Sequence, residues 1–120
     1  MRRCQMKGFR SMNSITVIAL KEKIDNAEDL QLVDVREPYE HEEFNIGGDL
    51  IPLNEIAQQV EKIATGKPVV IYCRKGIRSQ IAIQRLQAKF PFNNLYNLIG
   101  GTEAWKKQLG LCVLSFGFCV

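Results

Sequence analysis

Seven consecutive residues, Cys73-Arg74-Lys75-Gly76-Ile77-Arg78-Ser79, carry the clearest chemistry in the sequence. A cysteine attacks or binds as the thiolate, which cations, backbone N–H groups and helix N-termini favour. This segment offers all three. Arg74, Lys75 and Arg78 place three cations within six residues of Cys73. Gly76 permits the positive φ that lets the N–H groups of Arg74 to Ser79 turn inward and cradle an anion. A helix opening near Ser79 would aim its positive end at the same point. Such a loop can ionise a thiol and attract an anionic substrate. The bland alternative stays open on these residues alone, since a cysteine at the end of an apolar run is often a small buried hydrophobe and a basic loop is often a solvated turn.

The elements that must hold this loop follow from hydrophobic spacing. Val69-Val70-Ile71-Tyr72 is a continuous apolar run that reads as a buried strand ending at Cys73. Ala82, Ile83, Leu86 and Phe90 recur on one helical face from about Ser79 to Phe90, and Pro91 ends that helix. Upstream, Thr16 is placed to cap a helix carrying Val17, Leu20 and Ile24. Leu30 to Val35 reads as a second buried strand, which places Asp34 and Arg36 at its end. Pro38 begins a short acidic helix over Tyr39 to Phe44. Gly47-Gly48 turns into a strand over Leu50 to Leu53. Asn54 is expected to cap a helix whose inner face is Ile56, Val60 and Ile63, with Gly66 and Pro68 stopping it. Leu95 to Ile99 forms a further strand, and Gly100-Gly101 leads into a last helix with Trp105 and Leu109 on one side and Gly110 as its stop. Strands alternating with helices imply an α/β protein with a mostly parallel sheet covered on both faces. Ligands bind such sheets beyond the carboxyl ends of the strands, where Cys73 falls.

Composition narrows the function classes. The 120 residues are 46% hydrophobic and 24% charged, the balance of an ordinary globular domain. The formal charge of +3 is concentrated in Arg2, Arg3, Lys7 and Arg10, and the rest is close to neutral. The body of the sequence shows no basic-aromatic face, so nucleic-acid binding is not expected. No apolar run approaches the roughly 20 residues of a membrane-spanning helix. Cys4, Cys73, Cys112 and Cys119 have no metal-pair spacing with one another or with His41, so neither a metal nor a cofactor is expected. A reducing, cytoplasmic setting suits them better than a disulfide framework. Residues 1–13 read as a basic extension, either a short targeting segment or a start placed ahead of Met12. The domain is expected over residues 14–110. Residues 111–120 form an apolar tail that is read as a terminal strand, a docking segment or an artefact.

The loop Cys73 to Ser79 resembles the active-site loop of rhodanese-like sulfurtransferases, and it does not stand alone. Leu32-Val33-Asp34-Val35-Arg36-Glu37 with Tyr39-Glu40, Asn45-Ile46-Gly47-Gly48 with Ile51-Pro52-Leu53, and Leu98-Ile99-Gly100-Gly101 with Ala104-Trp105 resemble further motifs of that family in order. The resemblance implies a three-layer fold around a small five-stranded sheet. It also implies that Cys73 takes sulfane sulfur from thiosulfate or a persulfide donor and passes it to a thiol, to cyanide or to a sulfur-accepting protein. Arg74, Lys75, Gly76, Ile77, Arg78 and Ser79 would form the substrate-binding loop. Arg78 would touch the anionic donor or hold the loop. Asp34 and Arg36 would flank and brace the site, or serve structurally as a helix-capping carboxylate and a buried ion pair. One departure is Phe44-Asn45-Ile46, where many members carry Gly-His-Ile.

Other functions share the scaffold. Related phosphatases need five residues between cysteine and arginine to surround a phosphate, whereas four separate Cys73 from Arg78. An arsenate reductase is disfavoured with them. A persulfide carrier or a non-catalytic interaction module would keep the same fold, and retention of Cys73 argues against the latter. His41 reads as an exposed residue of an acidic helix, which leaves a Ser-His-Asp hydrolase without support.

Overall fold

The computed structural model describes residues 12–110. The basic segment over residues 1–11 and the apolar tail 111–120 lie outside the described residues, and so do Cys4, Cys112 and Cys119. The elements in chain order are β1 (Asn13–Ile15), α1 (Val17–Asp25), β2 (Gln31–Asp34), α2 (Pro38–Glu43), β3 (Asp49–Leu50), a 3-10 helix (Leu53–Lys62), β4 (Val69–Tyr72), α3 (Arg78–Lys89), β5 (Leu95–Leu98) and α4 (Gly101–Leu109). The five strands form one sheet in the order β1-β5-β4-β2-β3, and every neighbouring pair is parallel.

β4 is central because its sequence suits no other place. Val69, Val70, Ile71 and Tyr72 are all buried, so both faces of the strand need cover. Ile71 packs on one face with Ala82, Ile83 and Leu86 of α3 and Ile56 of the 3-10 helix. Val70 and Tyr72 pack on the other with Leu20 of α1 and Trp105 of α4. The result is three layers with one core on each side of the sheet.

Helix boundaries follow local chemistry in most places. The Thr16 hydroxyl accepts the Ala19 N–H at 3.1 Å and opens α1. Gly110 ends α4 with a φ of 81°. The segment after β3 departs from expectation. It is a 3-10 helix with a kink at Gln59 rather than a helix capped by Asn54. Its start is set by the sheet: the Leu53 N–H donates to the Val35 carbonyl at 3.0 Å, and Glu55 N–H donates to the Pro52 carbonyl at 2.8 Å. Asn54 therefore lies inside the first turn, and the segment ends before Gly66. The strand expected over Leu50 to Leu53 is confined to Asp49 and Leu50. No helix of the described residues is long and apolar enough to cross a membrane.

Leu86 is wholly buried between α3 and the sheet. Leu86→Ala is expected to cost about 2–5 kcal/mol through lost apolar transfer and a residual cavity. Urea unfolding followed by Trp105 fluorescence measures it.

Candidate active site at the Cys73 loop

β4 delivers Cys73 to the carboxyl edge of the sheet, and α3 begins five residues later at Arg78. The loop between them curls around the sulfur. Cys73 Sγ accepts the Gly76 N–H at 3.1 Å and the Ser79 N–H at 3.3 Å, and it lies 3.4 Å from Ser79 Oγ. Cys73 is 1% exposed. Gly76 has a φ of 94°, and a Cβ there would press on Gly100 N and Leu98 O at 3.1 and 3.3 Å. The turn thus needs glycine for both dihedral and space.

The outside of the loop is clamped by α4. The Thr102 N–H donates to the Cys73 carbonyl at 2.9 Å, and the Glu103 N–H donates to the Arg74 carbonyl at 3.0 Å. These are first-turn donors of α4, which a helix cannot satisfy internally. Gly101 makes the approach possible, since a Cβ there would collide with the Cys73 and Arg74 backbone. A trans peptide places its N–H opposite its carbonyl. The N–H groups of Arg74 and Lys75 therefore point away from α4.

The three loop cations have different fates. Arg78 forms a bidentate pair with Glu40 of α2, at 2.9 and 3.0 Å. Arg74 Nε meets Glu103 at 3.0 Å on the surface. Lys75 is exposed and has no carboxylate partner among the described residues. Hydrogen bonds from Arg78 hold the Glu40 carboxyl down to about 2 against a modest burial penalty. The same pair raises the Arg78 pKa. Ile77 stands at the loop tip, 63% exposed.

Asp34 and Arg36 form a buried ion pair beneath α2. Arg36 Nε and Nη2 reach the two Asp34 oxygens at 2.8 and 2.7 Å, and the Arg36 N–H adds a third bond at 3.0 Å. Burial opposes the Arg36 charge, but the hydrogen bonds to Asp34 and the nearby negative charges together outweigh it and raise its pKa. Arg36 Nη2 also donates to the Phe44 carbonyl at 2.6 Å, which ties down the end of α2. Asp34 caps no helix. The residue before α2 is Glu37, whose N–H donates to Glu40 at 3.0 Å.

His41 corrects the sequence reading. It is partly buried rather than exposed, and its Nδ1 lies 2.8 Å from Asp34 Oδ2. The reason is the docking of α2: Glu40 clasps Arg78, so the next residue turns toward the buried Asp34. Sequence reasoning also missed Glu40 and Asn97. Ser79 Oγ donates to Asn97 Oδ1, so Asn97 supports the residue that touches the sulfur. A polar residue within the apolar run Leu95 to Ile99 was the available signal.

The rhodanese-like domain family matches residues 16–108, and the chain belongs to that family. Thiosulfate sulfurtransferase GlpE of Coxiella burnetii is 38% identical over 65% of this chain and 73% of its own length. YrkF of Bacillus subtilis, named as a candidate sulfur carrier, is 32% identical over 79% of this chain. The crystal structure of a rhodanese-like domain protein from Staphylococcus aureus superposes with a TM-score of 0.71 at 32% identity, covering 78% of this chain and 91% of that one. The chain spans 51% of YrkF and 60% of another curated Bacillus subtilis relative.

The Glu40–Arg78 pair sets an acid limit on the loop. Folded Glu40 takes up its proton near pH 2, and an unfolded carboxyl takes it up near 4.5. The contribution is therefore complete above pH 4.5 and is lost as pH falls toward 2. Glu40→Gln is expected to cost about 1 kcal/mol at neutral pH, given the partial exposure of Arg78. It should also flatten acid unfolding in that window, as read by circular dichroism across a pH series.

Proposed function

We propose that the protein is a sulfurtransferase that carries sulfane sulfur as a persulfide on Cys73. The observation that carries this reading is the sulfur's position at the floor of a ring of N–H groups, with Gly76 and Ser79 already donating to it. The N–H groups of Arg74, Lys75, Ile77 and Arg78 make no hydrogen bond among the described residues. They remain available to an anion placed above the sulfur. The relationship to GlpE supports thiosulfate as a donor.

In the first half-reaction the Cys73 thiolate attacks the outer sulfur of thiosulfate. A bond forms between Cys73 Sγ and that sulfur, and the sulfur–sulfur bond of the donor breaks. Sulfite leaves with the electron pair. The persulfide's terminal sulfur carries the negative charge into the N–H ring, where preorganised dipoles stabilise it. In the second half-reaction cyanide or a thiolate attacks that terminal sulfur. Thiocyanate or a new persulfide departs, and the Cys73 thiolate returns. This is a double displacement through a covalent intermediate. It needs no metal and no resident general base once the thiol is ionised. The unit that performs it is residues 14–110, and a reducing compartment such as the cytoplasm keeps Cys73 free between turnovers.

Loop length argues for sulfur over phosphate: four residues, not five, separate Cys73 from Arg78. The relationship to YrkF supports a second form of the same chemistry, in which the persulfide is handed to a protein acceptor. Arg74 and Lys75 at the exposed rim are then contacts for the incoming partner.

Intact mass after incubation with thiosulfate should rise by one sulfur, and cyanide should reverse the rise and release thiocyanate. Both signals should fall to the blank in Cys73→Ser. They should persist when Cys4, Cys112 and Cys119 are replaced together. Hydrolysis of an aryl phosphate without any sulfur adduct would overturn the reading.

A further inference from the structure

Beside the Cys73 loop, on the α3 side of the sheet, is a second cavity of about 390 Å³. Met12, Ser14, Lys75, Gly76, Asn97 and Ile99 line it. Ser14 and Asn97 are paired across β1 and β5, so their side chains share one face of the sheet. Gly76 is common to both sites: its N–H is spent on Cys73 Sγ while its backbone walls the cavity.

Asn97 is the informative residue. Its side chain is nine-tenths buried, and Oδ1 is taken by the Ser79 hydroxyl. Its Nδ2 has no hydrogen-bond partner among the described residues, and Asn97 lines the cavity. A buried amide with an unused donor costs free energy unless something accepts from it. Lys75, in the same wall, has no carboxylate partner, in contrast to Arg74 and Arg78. An amide donor and an unpaired ammonium call for an oxyanion. Met12 and Ile99 add apolar surface for a short hydrocarbon body.

We propose that this cavity binds a small organic carboxylate, with its oxygens on Asn97 and Lys75, and that the bound carboxylate opposes negative charge on the Cys73 sulfur. The link is the chain Asn97–Ser79–Cys73. A carboxylate accepting from Nδ2 holds Oδ1 against Ser79. The single proton of the Ser79 hydroxyl then goes to Asn97 and not to the sulfur 3.4 Å away. With the cavity free, the amide can turn over and leave that proton to the sulfur. Direct repulsion between the two anions acts in the same sense. By linkage, an anionic sulfur weakens carboxylate binding as much as the carboxylate disfavours the anion. The coupling rests on the sulfur being anionic in its working state, as in the proposed reaction, whereas the binding does not.

The test is a titration of the full chain with butyrate, followed by the amide resonances of Ser14, Lys75, Asn97 and Ile99. Saturable shifts at these residues are expected. Butyramide, the same shape without the charge, should give none, and Asn97→Leu should abolish those caused by butyrate. Cys73→Ser, with a neutral hydroxyl in place of the sulfur, should bind butyrate about fivefold more tightly, the size of one hydrogen bond. Absence of saturable shifts, or equal shifts with butyramide, overturns the site. Equal butyrate affinity in the sulfur-free protein and Cys73→Ser overturns the coupling. Failure of the sulfur reading itself would appear separately, as the missing mass increase with thiosulfate.

Discussion

The site depends on two hydrogen bonds that lie outside it. The first turn of α4 donates Thr102 and Glu103 N–H groups to the carbonyls of Cys73 and Arg74. Each bond fixes a rigid peptide plane, so each carbonyl drawn outward commits the N–H of the same plane to the other side. The concave face of the loop is therefore made of donors because its convex face has been supplied with donors too. Gly101 is the residue on which this rests, since any side chain there would strike the loop backbone. The helix that builds the ring is thus α4, while α3 continues from it. Neither helix could take the other's place, because α3 emerges from the loop and α4 only approaches it.

Around this clamp the charged residues act mainly on each other. Glu40 neutralises Arg78, Glu103 meets Arg74, and Asp34 holds both Arg36 and His41. The loop looks strongly basic in sequence, yet two of its three cations are paired. What the loop turns toward the sulfur is backbone N–H groups, which cannot be titrated or screened in the way that side chains are. The paired side chains instead connect α2 to the loop and to the end of β2, so the short acidic helix becomes part of the wall of the site.

What could be read from the sequence was what local pattern determines. Val69 to Tyr72 has no polar residue to place outward, and Ala82, Ile83 and Leu86 recur at helical spacing. The central strand, the α3 helix and the position of Cys73 between them were therefore legible. Contacts made across the chain were not. Nothing near Glu40 signals Arg78, and nothing near His41 signals that docking of α2 would turn it toward Asp34. Asn54 has the chemistry of a cap, but the hydrogen bond that the Leu53 N–H donates to the Val35 carbonyl fixed the start of that segment and overrode it. Asn97 was legible in principle as a polar residue inside a strand, but its meaning needed Ser79 beside it.

The strand order has a consequence for how the chain is made. β1 is the first of the described strands to be made, and its partner among the described residues is β5, far along the chain: Asn13 lies against Tyr96. Until β5 is made, β1 lacks that partner, and the sheet acquires this edge late among the described elements. Pairing so distant in sequence is slow to nucleate. The Asn97 that supports Ser79 sits on the strand that β1 finally covers. The site is therefore complete only after β5 and α4, the last of the described elements, have been made.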